Sequence, residues 1–160
     1  MNKKDLKIIL ASDHAGFELK GVLKIFLEGQ GYSVLDVGAH TLVPEDDYPV
    51  YVSAGAMKVV EDLSGQTKAI IIGGSGQGEA IMANRFPGVR AVVWYGGGIS
   101  SSDLDIIKLS REHNDANVLA IGARFVTVEE TKKVLEKWLT TPFSGIERHQ
   151  RRNQQIDSVE

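Results

Sequence analysis

Apolar residues along this chain fall into short runs that alternate with longer stretches of helical spacing. Leu6 to Ala11 reads as a strand, and after Ser12-Asp13-His14-Ala15-Gly16 the residues Leu19, Leu23, Phe26 and Leu27 share one helix face. Gly29 and Gly31 end that helix, and Ser33 to Val37 forms a second strand. A loop from Gly38 to Asp47 leads to Asp47-Tyr48-Pro49, a helix start with proline near the first turn; Val52, Ala56, Val59 and Val60 follow, and Ser64-Gly65 stops it. Ala69 to Ile72 is a third, β-branched strand, and Phe86-Pro87-Gly88 turns into a fourth, Val89 to Trp94. Ser100 or Ser102 can cap the next helix, which runs to Glu112 and buries Leu104, Ile107 and Leu109. A polar link from His113 to Asn117 enters a fifth strand, Val118 to Ile121. Thr127 and Glu130 have the spacing of a capping box, ahead of Val134, Leu135, Trp138 and Leu139. Beyond Pro142, Glu147 to Val159 reads as a polar tail helix.

Short strands alternating with helices predict an α/β fold in three layers, a five-stranded parallel sheet covered on both faces. The 160 residues form one domain, with no internal repeat. In such sheets a ligand lies beyond the carboxyl ends of the strands. That rule gathers Asp13 and His14 after strand one, Ser75 and Glu79 after strand three, and the loop after strand four. His113 and Asn114 precede strand five, so the rule does not place them in the cleft.

A net charge of −3 argues against a nucleic-acid partner for the molecule as a whole. The absence of cysteine removes disulfides, thiolate metal sites and a cysteine nucleophile. No apolar run approaches the roughly 18 residues a membrane helix needs, and the first residues lack a secretory core, so a cytoplasmic enzyme or binding protein is expected.

The chemistry concentrates in Gly73-Gly74-Ser75-Gly76-Gln77-Gly78, where four of six residues are glycine. A strand, a glycine loop and a helix start expose backbone N–H groups suited to an anion or a developing oxyanion. The same glycines also serve a tight strand-to-helix turn. The loop lacks the Gly-Lys-Ser/Thr of a phosphate-binding P-loop. Ser75 adds a hydroxyl, and Glu79 a carboxylate able to take a proton. Asp13 is a natural helix cap or a ligand for a sugar hydroxyl, and His113 a solvated loop residue or a catalytic one. Arg148-His149-Gln150-Arg151-Arg152 concentrates positive charge on an acidic chain, which suits a phosphate group. No grouping of His and carboxylates has metal-ligand spacing, and no metal is expected.

Ser12-Asp13-His14-Ala15-Gly16-Phe17-Glu18-Leu19-Lys20, Asp47-Tyr48-Pro49, Gly73 to Glu79, Ala83-Asn84, Pro87 to Ala91, Ser110 to Asn117 and Arg148 to Arg152 together resemble the type B ribose-5-phosphate isomerases. That family also takes in the subunits of galactose-6-phosphate isomerase, and the likeness runs from about Leu6 to Ile156. The resemblance implies a Rossmann-like fold, a homodimer or tetramer, and no metal or organic cofactor. It also implies a sugar-phosphate substrate, ribose 5-phosphate interconverted with ribulose 5-phosphate through an enediolate. Many family members carry a cysteine base at the position of Gly73; a branch with Gly-Gly-Ser-Gly-x-Gly-Glu uses the glutamate, which here is Glu79.

The remaining roles are carried over from the resemblance. Glu79 moves the proton, His113 and Asp13 serve ring opening, and Ser75 and Asn114 hold sugar oxygens. Gly74, Gly76 and Gly78 lend N–H groups. His14, Arg124, Arg148, His149 and Arg152 hold the phosphate, the last three from a neighbouring subunit on which residues 143–160 pack. Substrate selectivity is expected in Trp94 to Ile99. A helix N-terminus lowers the pKa of Glu79, while burial against bound sugar raises it. A six-carbon aldose 6-phosphate (allose or galactose) is the alternative substrate. A sugar-phosphate sensor without catalysis is the alternative class, motivated by the missing cysteine.

Overall fold

The central strand explains the architecture. In a computed structural model, which describes residues 3–96 and 101–159 and only the backbone at 4 and 101–104, every residue of β3 (Thr67–Gly73) is buried. A strand buried on both faces needs apolar residues in both phases of the pleat, and Ala69-Ile70-Ile71-Ile72 supplies them. β1 (Lys7–Ser12) and β5 (Val118–Gly122) flank it; β2 (Ser33–Asp36) and β4 (Ala91–Trp94) form the edges. The order β2-β1-β3-β5-β4 is parallel throughout, so the five-stranded sheet expected from the pattern is present. The order itself is not readable from the sequence, because the excursion to β4 and back places β5 beside β3.

The pleat sorts the strands into two cores. Ile8, Leu10, Ile70, Ile72, Leu119 and Ile121 face α1 (Phe17–Gly29), α4 (Ser101–Glu112) and α5 (Val128–Thr140). Ile9, Ala11, Ala69, Ile71 and Val118 face α2 (Tyr48–Val60) and α3 (Gln77–Ala83). The result is a three-layer, Rossmann-like arrangement.

Local chemistry sets the element ends. Thr127 and Glu130 form the expected reciprocal capping box of α5, whose Val134, Leu135 and Trp138 are fully buried. Asp13 accepts the N–H of Ala15 at 3.0 Å and caps a single 3-10 turn before α1. Asp47 precedes α2 but makes no side-chain cap. Leu109 is exposed rather than buried, because the α4 face toward the sheet carries Ile107 and Ser110. Gly97 to Ser100, and with them most of the expected selectivity loop and one candidate cap, lie outside the described residues, as do the side chains of Ser102 and Leu104. Lys20 is buried and bonds both oxygens of Asp36 (2.7 and 2.6 Å) and the carbonyl of Ala39 (2.8 Å), tying α1 to the exit of β2. α6 (Glu147–Asp157) closes the chain. Among the described residues, no helix is long and apolar enough to cross a membrane.

Candidate active site

The carboxyl edge of the sheet is built around close backbone approach. Gly73 pairs with Gly122 in register at the ends of β3 and β5. A Cβ on Gly122 would stand 2.7 Å from the carbonyl oxygen of Ser75, and one on Gly76 3.1 Å from the backbone N of Gly122. Gly76 also has a φ of +78°, which L side chains rarely adopt. The glycine loop is therefore pressed against the end of β5 and held there by the Arg124 N–H, which donates to the Gly74 carbonyl at 3.2 Å. The Arg124 guanidinium lies over Gly74, where an added Cβ would be 3.3 Å from Cζ.

Glu79 sits in the first turn of α3 and is only 5% exposed. Its side chain folds back over Gly73, so that any Cβ at position 73 would overlap the carboxylate. Burial pushes its pKa up; its own N–H opposes this, the Asp13 charge adds to it, the Gly76 N–H opposes it, and the net shift is upward. Burial within the protein alone therefore already outweighs the N–H groups at this helix start. Asp13 is buried beside the same edge, Ser75 is half-buried with its Oγ accepting the Gln77 N–H at 3.4 Å, and the Tyr48 hydroxyl packs against Gly78.

His14 stands on the other side of Asp13. Its Nδ1 is 2.7 Å from Asp46 Oδ1 and 3.8 Å from Asp13 Oδ2. Asp46 escapes the sequence reading, although the carboxyl-edge rule, applied to the loop after the second strand, points to its neighbourhood. Asp13, His14 and Asp46 have ligand atoms within 4.8 Å of one another, so this trio could hold a cation, contrary to the spacing argument. The carboxylate–imidazole bond accounts for the closest approach without one.

The other expected residues collect elsewhere. α4 returns from the carboxyl edge to the amino edge, so His113 and Asn114 lie where β5 begins. The His113 and His149 rings are 4.1 Å apart, and Asn153 Nδ2 donates to the His113 carbonyl at 3.3 Å. Arg90 clips this region: it donates to the Asn114 carbonyl (2.8 Å) and pairs with Asp157 at the end of α6 (2.8 Å). His149 is buried, its Nδ1 2.8 Å from Ser144 Oγ and its Nε2 accepting from Arg148 Nε at 3.3 Å. Burial lowers its pKa, and His113, Arg148 and Arg152 lower it further. The five strand residues Val118–Gly122 span roughly 17 Å at about 3.3 Å each, so this cluster and Glu79 do not meet within one chain.

A family model described as Ribose/Galactose Isomerase matches residues 8–156. The chain belongs to the ribose/galactose isomerase family. Ribose-5-phosphate isomerase B of Mycolicibacterium paratuberculosis is 40% identical over 92% of this chain and 87% of that protein. The Escherichia coli ribose-5-phosphate isomerase B is 39% identical over 96% of each. A crystal structure of ribose-5-phosphate isomerase B from Mycoplasma genitalium with bound ribulose-5-phosphate has a TM-score of 0.87 at 34% identity, covering 96% of this chain and 95% of that one. The family's fold is thus the fold described above.

Proposed function

We propose that this chain is a ribose-5-phosphate isomerase that uses Glu79 as its base and builds each active site from two copies. The observation that carries the reading is the seat of the Glu79 carboxylate. It is buried at the carboxyl edge, raised in pKa, and occupies the space over Gly73 beside a loop of backbone N–H groups, in a chain of this family.

The chemistry follows from that seat. Asp13 and His113 transfer the ring protons: one accepts the proton of the C1 hydroxyl, the other protonates the ring oxygen as its bond to C1 breaks. Glu79 then removes the C2 proton from the open aldose, and the C2–H electron pair becomes the C1–C2 double bond while O1 takes the negative charge. N–H groups of Gly74, Gly76 and Gly78 donate to that oxygen and stabilise it. Glu79 returns the proton to C1 while the O2 hydroxyl proton passes to O1, leaving the ketone at C2. Ser75 and Asn114 orient sugar hydroxyls, and His14 and Arg124 hold the phosphate.

The separation of the two clusters supports a dimer. His113, Asn114, Arg148 and Arg152 reach a cleft only if a second copy presents its amino edge to the first copy's carboxyl edge. A two-fold axis makes both sites equivalent. His149 serves this half-site by packing against His113.

Proton NMR of ribose 5-phosphate in deuterated buffer containing EDTA tests the reading. Loss of the C2 proton signal with appearance of ribulose 5-phosphate is the expected outcome. Exchange only with allose or galactose 6-phosphate would shift the substrate to six carbons, and binding without exchange of any of the three would leave a sensor.

A further inference from the structure

We propose that Asp46 is a positioning residue for the phosphate end of the cleft, holding His14 with a proton on Nδ1 and turning Nε2 toward the ligand. The inference rests on the reading above only in taking His14 as a phosphate contact.

The geometry is specific. The Asp46 side chain is 10% exposed, and one of its oxygens, Oδ1, accepts two bonds from the same residue, the His14 backbone N–H at 2.8 Å and the ring Nδ1 at 2.7 Å. Burial pushes the Asp46 carboxyl up, but the bonds from the His14 N–H and ring, with the nearby Tyr51 hydroxyl, outweigh it, and its pKa lies below the ordinary value. Asp46 is therefore an ionised carboxylate, which can only accept. Nδ1 of His14 must carry the proton in that contact. The second nitrogen then has one of two forms: a bare lone pair in the neutral ring, or an N–H in the charged ring. Only the charged ring can donate to a phosphate oxygen. A negative partner at Nδ1 is the arrangement that keeps such a ring in place, and two bonds to one oxygen prevent it from flipping. With Nδ1 bonded to Asp46, Nε2 is the ring nitrogen left to meet a ligand, on a His14 side chain that is half-buried.

Nitrogen-15 spectra of the full-length protein with labelled histidine read the tautomer directly; substituting the four histidines one at a time assigns the signals. In the wild type, His14 is expected to carry a proton on Nδ1, and its Nε2 signal is expected to shift when inorganic phosphate binds. By calorimetry, Asp46→Ala should weaken inorganic phosphate binding about tenfold, and Asp46→Asn, which keeps an acceptor oxygen and guards against misfolding, about threefold. His14→Ala combined with Asp46→Ala should bind no more weakly than His14→Ala alone. A neutral wild-type ring protonated on Nε2, unchanged affinity in both Asp46 variants, or additive losses would each overturn the inference. If His14→Ala itself bound phosphate like the wild type, the assignment of His14 to the phosphate would fail first and the inference with it. None of these readouts needs turnover, so a failed isomerase assay is a separate result.

Discussion

At the scale of single residues, Glu79 joins stability to chemistry. A buried carboxyl with a raised pKa binds its proton more tightly in the folded chain than in the unfolded one. Its contribution to stability is therefore greatest at low pH and is lost as the pH rises through the folded value. In the proposed mechanism the working base is the ionised form, so turnover is expected to rise over the same interval. Glu79→Gln is expected to lower kcat by about 100-fold or more while raising the melting temperature at pH 8, a gain that fades under acid. Equal melting curves at pH 8 would contradict the buried-charge account. Gly73 gives a second test. Gly73→Ala places a Cβ where the carboxylate lies and should cost about 100-fold in kcat through displacement of Glu79. A variant with near-normal turnover would show that the carboxylate works from another position.

At the scale of elements, the sequence is legible where one rule suffices. The strands stand out because β-branched runs are bounded by glycine and proline, and the α5 cap because Thr127 and Glu130 have the required spacing. Asp13 as a cap is equally local. Contacts between elements distant in sequence are less legible. Nothing near Lys20 announces that it is buried against Asp36 and Ala39, since a lysine in an amphipathic helix ordinarily faces water. Lys20→Met would leave the half-buried Asp36 carboxylate with the Gly38 N–H but without its lysine, and should lower unfolding stability by about 1–3 kcal/mol in urea titration. Asp46 is hidden for the same reason, as it meets His14 across 32 residues of chain.

At the scale of the whole molecule, the residues expected to act on one substrate divide between the two edges of the sheet. Parallel topology requires this: a helix that follows a strand ends near the start of the next, so His113 belongs to the edge opposite Glu79. The residue types and the strand-edge rule are legible in the sequence, and the resemblance puts Arg148, His149 and Arg152 in a neighbouring subunit; that His113 and Asn114 lie with them on the amino edge follows only from the fold. Complementation tests the division. Glu79→Gln lacks the proposed base but has an intact α6, whereas Arg148→Ala with Arg152→Ala keeps that base and loses the proposed phosphate clamp. Each variant alone should be nearly inactive at low substrate. Denatured together and refolded, half of the dimers are mixed, and each mixed dimer holds one site with both functions, so about a quarter of wild-type activity should return. If both halves of the site came from one chain, mixing would restore nothing, because neither variant has a complete set. Recovery that scales with the product of the two fractions would show that two chains supply one site, and that α6 of one copy works on the substrate of the other.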